Sequence, residues 1–448
     1  MTPTTTPLRT DLAALVGPPS AAFELAACAA FAVDGKTPDC TVAPAAAEQV
    51  AAVLSYARDH QLAVIARGSG TKLGVGNLPR RYDVALSLRE MRRVVHHEPA
   101  DLTISVEAGM TLGEFQDVAG RSGLWLPLDP RGGREASIGG IIAANASGPL
   151  RQGFGGPRDM VLGLKIATTE GTIVKTGGRV VKNVAGYDLG KLMTGSFGTL
   201  GVIVEACLKL FPKPPERATF AMRAGNLGMA RDLRRRILRS PLDPMRLVLL
   251  DATAASLLAV SSEVKAKPET DLWVEVGGTH RVIARCLAEL QQLATAAGAS
   301  LVAVEGADEA WARISSPVCW LLGKYPALIV LKAALPIVAS EEFLSRAQQE
   351  AEAERVAVAG FAQVGVGIIQ LCLLPEALSE SVDGLVSRLR HAAADFGGTL
   401  VIEHCPVELK RRVDVWGTTC DDLGAMRKIK LLWDPKDVLA PGRFLGGI

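Results

Sequence analysis

The sequence of 448 residues lacks several features that mark common classes of protein. None of its eight cysteines forms a C-x-x-C pair, which argues against an iron–sulfur cluster or a zinc ribbon in this chain. No apolar run reaches the roughly 18 residues of a membrane span, and the N-terminus has no basic signal-peptide region. The net charge is only +2 and the basic residues form no stripe, so a nucleic-acid partner is not expected. We expect a cytoplasmic protein that reaches a membrane only through partners.

A G-x-G-x-x-G motif after a first strand is also missing, which disfavours a Rossmann site for NAD. What the chain has instead is a recurrence of small residues at three separate places. The first place follows a predicted strand at 62–66. Glycines bring no Cβ atom and can adopt positive φ, so a loop rich in glycine can aim several N–H groups at a diphosphate. The residues assigned to this loop are Arg67, Gly68, Ser69, Gly70 and Thr71. A tight surface turn is the alternative for this loop taken alone.

The second place is the start of a predicted helix, where Ser137 is the expected N-cap and Ile138, Gly139 and Gly140 form the first turn. Each glycine there costs about 1 kcal/mol of helix stability relative to alanine. That cost is reasonable if the N–H groups of the turn face an anion at the positive end of the helix dipole. Glycines that only allow close packing are the alternative, but the recurrence of such places favours a bound dinucleotide.

The third place is split along the chain. Its first part follows the predicted helix and contains Asn145, Ser147 and Gly148, and its second part is the turn at 195–201, which leads into an apolar strand. A strand that begins after such a turn can offer backbone N–H and C=O groups to the edge of a flavin ring. The order of the three places therefore indicates FAD. Between the two parts, Asn183 and Asp188 are equally well explained as helix-capping residues.

Prolines 212, 214 and 215 separate two regions of different pattern, which predicts a domain boundary. Beyond them, strands and helices alternate as in an α+β layer with helices on an antiparallel sheet, and two βαβ-like halves are suggested without a convincing sequence repeat. The predicted strands are 246–250, 271–276, 327–335, 356–361, 366–373 and 399–403, and the predicted helices are 227–239, 280–297, 341–354 and 376–395. The predicted regions are a poorly patterned lead-in at 1–40, an FAD-binding domain at 41–215, an α+β substrate or cap domain at 216–421, and a C-terminal segment at 422–448 that packs on the FAD-binding domain.

These ordered motifs resemble the FAD-binding domain of the vanillyl-alcohol-oxidase/p-cresol-methylhydroxylase family over about 40–215, together with the tail motifs at 434–435 and 441–443. Within that family, the runs at 158–163 and 181–189 are similar to D-2-hydroxyacid dehydrogenases and, more narrowly, to the FAD-binding E subunits of bacterial glycolate oxidases. The resemblance implies an α+β fold in which a two-part FAD-binding domain is followed by a ferredoxin-like α+β cap and a tail that returns to the FAD-binding domain.

The resemblance also implies roles for particular residues. The diphosphate of FAD would lie on 67–71 and 137–140. The flavin and its ribityl chain would contact residues of the third place and its surroundings, namely Asn145, Ser147, Gly148, Arg158, Gly198, Gly201, Val202 and Ile203. Family members with a covalent flavin use a histidine of the first loop, but Thr71 occupies that place here, so the FAD should be noncovalent. Arg443 could approach the flavin from the tail.

The chain departs from the family at the metal site. Metal-dependent members carry H-x-G-D-G-N-x-H and E-H-G motifs, whose two motif histidines and glutamate bind the metal. Here Gln363 and Gln370 replace both histidines, whereas Glu403 and His404 remain. Because a glutamine amide is a poor zinc ligand, we predict no metal. His404 is the candidate base, with a purely structural role as the alternative.

Two basic residues lie near family positions that contact the substrate carboxylate, Lys332 and, more weakly, Arg313; solvated surface charges are the alternative for both. The resemblance then implies hydride transfer from a 2-hydroxy acid, such as glycolate or D-lactate, to FAD, with electron relay to partners: a sister flavin subunit with intact histidines and an iron–sulfur subunit. Two other functions stay open. One is a self-sufficient FAD-dependent oxidase or dehydrogenase of another alcohol or acid, and the other is a non-catalytic assembly subunit.

Overall fold

The computed structural model describes residues 5–17, 20–178, 187–258, 270–417 and 421–448. Its α-helices are α1 (Thr5–Val16), α2 (Leu25–Ala29), α3 (Ala47–Asp59), α4 (Leu112–Gly120), α5 (Ile138–Ala143), α6 (Arg151–Phe154), α7 (Pro157–Met160), α8 (Leu189–Met193), α9 (Leu227–Arg239), α10 (Ala252–Leu258), α11 (His280–Ala297), α12 (Ala307–Ser315), α13 (Pro317–Leu321), α14 (Ser340–Ala353), α15 (Glu380–Asp395), α16 (Val407–Lys410) and α17 (Leu423–Trp433).

Its strands are β1 (Ala21–Ala22), β2 (Cys40–Val42), β3 (Val64–Arg67), β4 (Val84–Ser87), β5 (Val94–Glu98), β6 (Thr103–Glu107), β7 (Leu124–Trp125), β8 (Val161–Ala167), β9 (Ile173–Gly177), β10 (Val202–Lys209), β11 (Phe211–Pro212), β12 (Glu216–Arg223), β13 (Arg246–Leu250), β14 (Asp271–Gly278), β15 (Ser300–Ala303), β16 (Ile329–Ala334), β17 (Ala357–Gln363), β18 (Ile368–Leu374) and β19 (Thr399–His404). None of the helices described is both long enough and apolar enough to cross a bilayer.

The FAD-binding part has two sheets, as the resemblance implies. The first has the order β1-β2-β4-β3, in which β2, β4 and β3 run parallel, and the glycine loop begins where β3 ends. The second is a five-stranded antiparallel sheet of order β5-β6-β10-β8-β9. One hydrophobic core joins both sheets with α3, whose apolar residues at helical spacing are buried. A capping box begins α4, because the Thr111 hydroxyl accepts from the Glu114 N–H and the Glu114 carboxylate accepts from the Thr111 N–H.

The cap is one eight-stranded antiparallel sheet of order β15-β12-β14-β13-β17-β18-β16-β19. The second half follows the chain order βαββαβ, and the first half follows it with the additional helix α10 between its second and third strands. In both halves the fourth and third strands flank the first, which is the ferredoxin-like arrangement. The two halves meet edge to edge where Leu249 of β13 pairs with Ala362 of β17. The predicted α+β fold is confirmed, and the two halves suggested by the sequence are two ferredoxin-like units in one sheet.

Two strands of the cap were not predicted. β12 begins directly after Pro215, and the prolines were assigned to a boundary rather than to the start of a strand. β15 is an edge strand of four mostly exposed residues, so it carries no alternating hydrophobic pattern. The lead-in is also more regular than expected. α1 packs against α3 and buries Leu12 and Val16 in the core of the FAD-binding part.

The C-terminal segment lies on the FAD-binding part. The Val64 N–H donates to Val438 O and the Ala440 N–H donates to Val64 O, so the tail extends the edge of the first sheet next to the glycine loop. Within the tail, the buried Asp434 carboxylate accepts from Lys430 Nζ at 2.7 Å and from the N–H groups of Val438 and Leu439. The tail is therefore held by buried hydrogen bonds.

Candidate FAD site and substrate site

A cleft of about 700 Å³ opens at the glycine loop after β3. Its walls come from the loop itself, from Arg131 and the residues around α5, from Phe197 in the turn at 195–201, and from the C-terminal tail. The residues that line it are Ile65, Ala66, Arg67, Gly68, Gly70, Thr71, Lys72, Leu73, Val75, Arg131, Ala136, Ser137, Gly140, Ile141, Ala143, Ala144, Ala146, Phe197, Ala440 and Arg443. The small-residue motifs thus share one cleft.

The first two motifs are in direct contact. A Cβ atom placed on Gly68 would lie 2.0 Å from the Ser137 hydroxyl oxygen, so only glycine allows the loop to approach α5 this closely. Gly70 has a φ of +82°, a left-handed conformation that favours glycine. These two requirements explain the glycines of the loop at their positions and bring its backbone to the cleft.

The loop also offers an unused donor. Arg67 Nε is buried and has no hydrogen-bond partner among the described residues, while its guanidinium lies 4.7 Å from the centre of the Phe31 ring. An unpaired buried N–H of a cationic group is unfavourable unless a ligand completes it. A diphosphate supplies both the acceptor and the opposite charge. The residues present therefore fit a dinucleotide such as FAD, with Arg67, Gly70 and Thr71 at the cleft wall.

The α5 motif needs a correction. The Ile138 N–H donates to Met110 O at 2.9 Å and the Gly139 N–H donates to Ala108 O at 2.8 Å, so neither is available to an anion. A Cβ on Gly139 would lie 2.8 Å from the Ala108 Cβ, which makes Gly139 a packing glycine. Ser137 and Gly140 line the cleft, and the Ser137 hydroxyl does not cap the helix. Ser69 of the first loop is not among the lining residues.

The residues in the first part of the third motif do not all lie at the cleft. Asn145 has a φ of +45° and a buried amide oxygen with no partner among the described residues, and its neighbours Ala144 and Ala146 line the cleft. Ser147 accepts from Arg151, and Gly148 packs against Asp129, where a Cβ would lie 2.1 Å from the carbonyl oxygen. Neither residue is among those that line the cleft.

The remaining predicted flavin contacts are also not among the residues that line the cleft. Arg158 is exposed on α7, and Val202 and Ile203 are buried in β10, where they pair with β8. A Cβ on Gly201 would lie 2.6 Å from an Ile166 methyl, so Gly201 serves packing. Phe197, in the turn that contains Gly198, lines the cleft instead. Asn183 lies outside the described residues, and Asp188 does cap α8 by accepting from the Lys191 N–H.

A cluster of charged side chains lies where the cap meets the glycine loop. Glu403 Oε1 is 3.4 Å from Lys72 Nζ and 3.7 Å from Lys332 Nζ. Glu403 Oε2 accepts from Gln370 Nε2 at 3.2 Å, and the Glu403 carbonyl accepts from Arg131 at 3.0 Å. The predicted residue Lys332 is therefore joined by Lys72 and Arg131, which no local pattern in the sequence links to β19.

Electrostatics fix the ionisation of this cluster. Burial alone would raise the pKa of the Glu403 carboxyl, but Lys72, Lys332 and Arg131 outweigh it and lower the pKa to about 2. Burial also lowers the pKa of Lys72, against the attraction of Glu403. Glu403 is thus ionised at neutral pH and surrounded by positive charge.

His404 follows Glu403 on β19 and is partly buried. Burial, and then the charges of Arg131 and Lys410, lower the pKa of its imidazole to about 4. The ring is therefore neutral at physiological pH, as a proton acceptor must be. Arg313 is placed differently. Its guanidinium pairs with Glu309 at 2.6 Å along α12, and it is not among the residues that line the cleft.

Within the described ranges, no three His, Cys, Asp or Glu side chains are close enough to hold a metal ion. Gln370, which replaces the second motif histidine, donates a hydrogen bond to Glu403. Gln363, which replaces the first, is buried, and its amide oxygen has no hydrogen-bond partner among the described residues. The absence of a metal stays a prediction.

Comparison with known proteins identifies the family and the cofactor. A model of the FAD binding domain matches residues 38–177, and a model of the C-terminal domain of FAD linked oxidases matches residues 213–444. Glycolate oxidase subunit GlcD of Bacillus subtilis (strain 168) is 27% identical over 418 residues, which cover 91% of this chain and 88% of that one. The p-cresol methylhydroxylase structure with substrate bound superimposes with a TM-score of 0.78 at 16% identity, covering 99% of this chain and 97% of that one.

The narrower resemblance to an E subunit needs a correction in extent. Glycolate oxidase subunit GlcE of Escherichia coli (strain K12) is 36% identical, but only over 186 residues, which are 41% of this chain and 51% of that one. GlcD matches along nearly the whole chain, cap included. The chain therefore belongs to the FAD-linked oxidases, and it is a flavoprotein oxidoreductase with FAD as its cofactor.

Proposed function

We propose that this chain oxidises a small 2-hydroxy acid, such as glycolate or D-lactate, and passes the electrons to partner subunits. The observation that carries this proposal is the excess of basic side chains around Glu403, where the cap meets the glycine loop, together with His404, which follows Glu403 on β19 and has a neutral imidazole. A 2-hydroxy acid needs both features. Its carboxylate needs a cation, and its hydroxyl proton needs a neutral base.

In this proposal Lys332 attracts the substrate carboxylate, and His404 accepts the hydroxyl proton as the α-carbon is oxidised. The carboxylate also offsets part of the positive charge of Arg131, which raises the pKa of His404 toward a value better suited to a base. Bound FAD supplies the two-electron acceptor. We propose that the FAD is held without a covalent bond, because Thr71 stands at the cleft wall where a linking histidine would be needed.

Two relatives that the chain resembles are glycolate oxidase subunits, which supports a place in a similar complex. We propose a sister flavin subunit and an iron–sulfur subunit as partners. Three assignments stay predictions. Arg313 is assigned to the substrate, and the chain is assigned to the cytoplasm. The residues assigned to the flavin are Ser147, Gly148, Arg158 and the 201–203 segment.

Anaerobic mixing of the FAD-loaded chain with glycolate or D-lactate tests the proposal, because oxidation of the substrate bleaches the flavin absorbance. We expect bleaching by at least one of these acids, with the chain alone or co-purified with its partner subunits, and none with the matched alcohol that lacks a carboxylate, ethanol. Acid denaturation is expected to release all of the FAD. An intact flavin spectrum with every 2-hydroxy acid in both preparations would contradict the proposal.

A second candidate is a non-catalytic assembly subunit, which the replacement of both motif histidines by Gln363 and Gln370 favours. That candidate predicts a complex that assembles and turns over normally when this chain carries His404→Gln. Loss of turnover in the same complex supports the catalytic function instead.

A further inference from the structure

We infer that Lys72 and Lys332 together form an anion site, held in place by Glu403, that binds the carboxylate and the adjacent oxygen of the substrate. This inference deepens the proposed function and rests on it for the identity of the substrate. It assigns a substrate-binding role to Lys72, which directly follows the loop at 67–71. The resemblance places that loop beside the diphosphate.

The geometry brings two ammonium groups to one oxygen atom. Lys72 reaches Glu403 from the FAD-binding part and Lys332 reaches it from β16 of the cap, at 3.4 Å and 3.7 Å from the same Oε1. The other carboxylate oxygen is taken by Gln370. Glu403 therefore lies between a lysine of the FAD-binding part and a lysine of the cap, and it accepts a hydrogen bond from Lys72.

The charges of this site do not balance. Lys72, Lys332 and Arg131 place three basic groups around the one carboxylate of Glu403, and burial lowers the pKa of Lys72 and of Arg131. All four side chains are at least partly buried, with exposed fractions of 17% for Lys72, 28% for Lys332 and 10% for Glu403. Surplus charge that is held away from water is unfavourable unless an ion of opposite sign joins it. An anion is the ligand that this imbalance selects.

The donors are also incompletely used. An ammonium group has three N–H donors. Among the described residues, Lys72 donates one hydrogen bond, to Glu403, and the Lys332 ammonium lies beyond hydrogen-bond distance of its carboxylate. Lys72 lines the cleft, so its remaining donors are accessible to a ligand there. Two separated ammonium groups match a ligand that carries two oxygen sites on adjacent carbon atoms, as 2-hydroxy acids do.

Oxalate is the probe for this site, because it presents oxygens on adjacent carbons and cannot be oxidised by hydride loss. Calorimetric titration of the FAD-loaded chain with oxalate measures binding without turnover. We expect Lys72→Met and Lys332→Met each to weaken oxalate binding by about 10- to 100-fold, the range expected for loss of one charged hydrogen bond. The matched control is Lys165→Met, which removes a lysine paired with Glu205 outside the cleft and should leave oxalate binding unchanged.

A further variant separates an anion site from a remnant metal site. Glu403→Gln keeps the shape of the side chain and an amide oxygen that can accept from Lys72, so the lysine stays in position. It removes the negative charge of the cluster, so oxalate should bind at least as tightly as to the wild type. Oxalate binding that is unaffected by both lysine substitutions, or that is lost in Glu403→Gln, would overturn the inference.

Failure of the proposed function is recognised separately. A chain that binds oxalate through Lys72 but whose flavin is bleached by no 2-hydroxy acid keeps the anion site and loses the proposed reaction. A chain whose flavin is bleached by glycolate or D-lactate, with equal KM in wild type and Lys72→Met, keeps the reaction and loses the role of Lys72.

Discussion

Glu275 and Glu403 are two buried glutamates of the cap, and each lies between two basic side chains at the boundary with the FAD-binding part. Glu275, on β14 of the first ferredoxin-like unit, is 2.7 Å from Arg246 and 3.4 Å from Arg217. Glu403, on β19 of the second unit, has Lys72 and Lys332 in the corresponding places. The two clusters look alike until the remaining charges are counted.

Around Glu275 the acids are in the majority. Arg246 also contacts Asp129 of the FAD-binding part at 3.1 Å, and Arg217 contacts Asp308 at 3.0 Å, so three carboxylates share two guanidinium groups. Burial raises the pKa of Glu275, and the two arginines only partly oppose it. The pKa of Glu403 is lowered instead, because cations are in the majority there. One cluster has acids in excess and joins the cap to the FAD-binding part through Asp129, whereas the other has basic groups in excess, which an anion would offset.

The largest effect that this contrast predicts is on the catalytic rate, at His404 next to the Glu403 cluster. His404→Gln should lower kcat with a 2-hydroxy acid by about 100- to 10,000-fold, the usual contribution of a positioned general base. Its free energy of unfolding at pH 7 should change little, because the imidazole is neutral and forms no ion pair with the residues that the structure describes. Steady-state rates with an artificial acceptor measure the effect. Wild-type turnover by the variant would place the base elsewhere.

The next effect is on stability at the Glu275 cluster. Arg246→Met leaves Asp129 and Glu275 buried without their shared cation, and should lower the free energy of unfolding by about 3–5 kcal/mol. Lys332→Met removes one of several cations around Glu403 and should cost about 1 kcal/mol or less. Denaturant unfolding of the two variants side by side checks this difference. Equal losses of unfolding free energy in the two variants would mean that the two clusters contribute equally to stability, which would contradict the prediction.

A smaller effect concerns pH. His404 has a folded-state pKa of about 4, whereas an unfolded histidine titrates near about 6.5, so between these values the unfolded chain binds a proton that the folded chain does not. Stability contributed by the neutral ring is complete above about pH 6.5 and falls as the pH drops toward 4. Between pH 7 and pH 5, the wild type should lose about 1–2 kcal/mol more than His404→Gln. Parallel slopes for the two proteins would contradict the lowered pKa.

The smallest effect is expected at Arg313. Its pair with Glu309 is a half-exposed i, i+4 pair on α12, which contributes about 0.3–0.5 kcal/mol at most. Arg313→Met should therefore change neither KM nor the free energy of unfolding beyond that amount. A tenfold rise in KM would return Arg313 to the substrate site and would show that the cap moves on binding.

Local patterns in the sequence were enough for much of the fold. α9 and α11 have the predicted bounds, because their apolar residues recur at helical spacing and Asn226 and Gly298 mark one end of each. The glycine loop could also be predicted from local sequence, because the residues that define it are consecutive in the chain. The edge strand β15 was not, because an exposed strand carries no alternating pattern.

The substrate side of the cleft could be predicted only in part. Glu403, His404 and Lys332 were found through a family motif, but Lys72 lies 331 positions from its partner Glu403. Such a contact leaves no periodicity or spacing in the chain, and it exists only after the glycine loop and the cap are docked. The misassigned N–H groups of α5 have a similar origin, because Met110 and Ala108 compete for them from another segment.

The glycine loop continues into a segment that is fixed by a residue much further along the chain. Arg443 Nη2 donates to Leu73 O and Val75 O, and its own carbonyl accepts from Trp416. Arg443 lies 370 positions from Leu73, so the backbone that follows the glycines is held in this way once the tail has docked on the FAD-binding part. A variant without residues 441–444 would keep every glycine of the loop and lose the guanidinium that fixes this backbone.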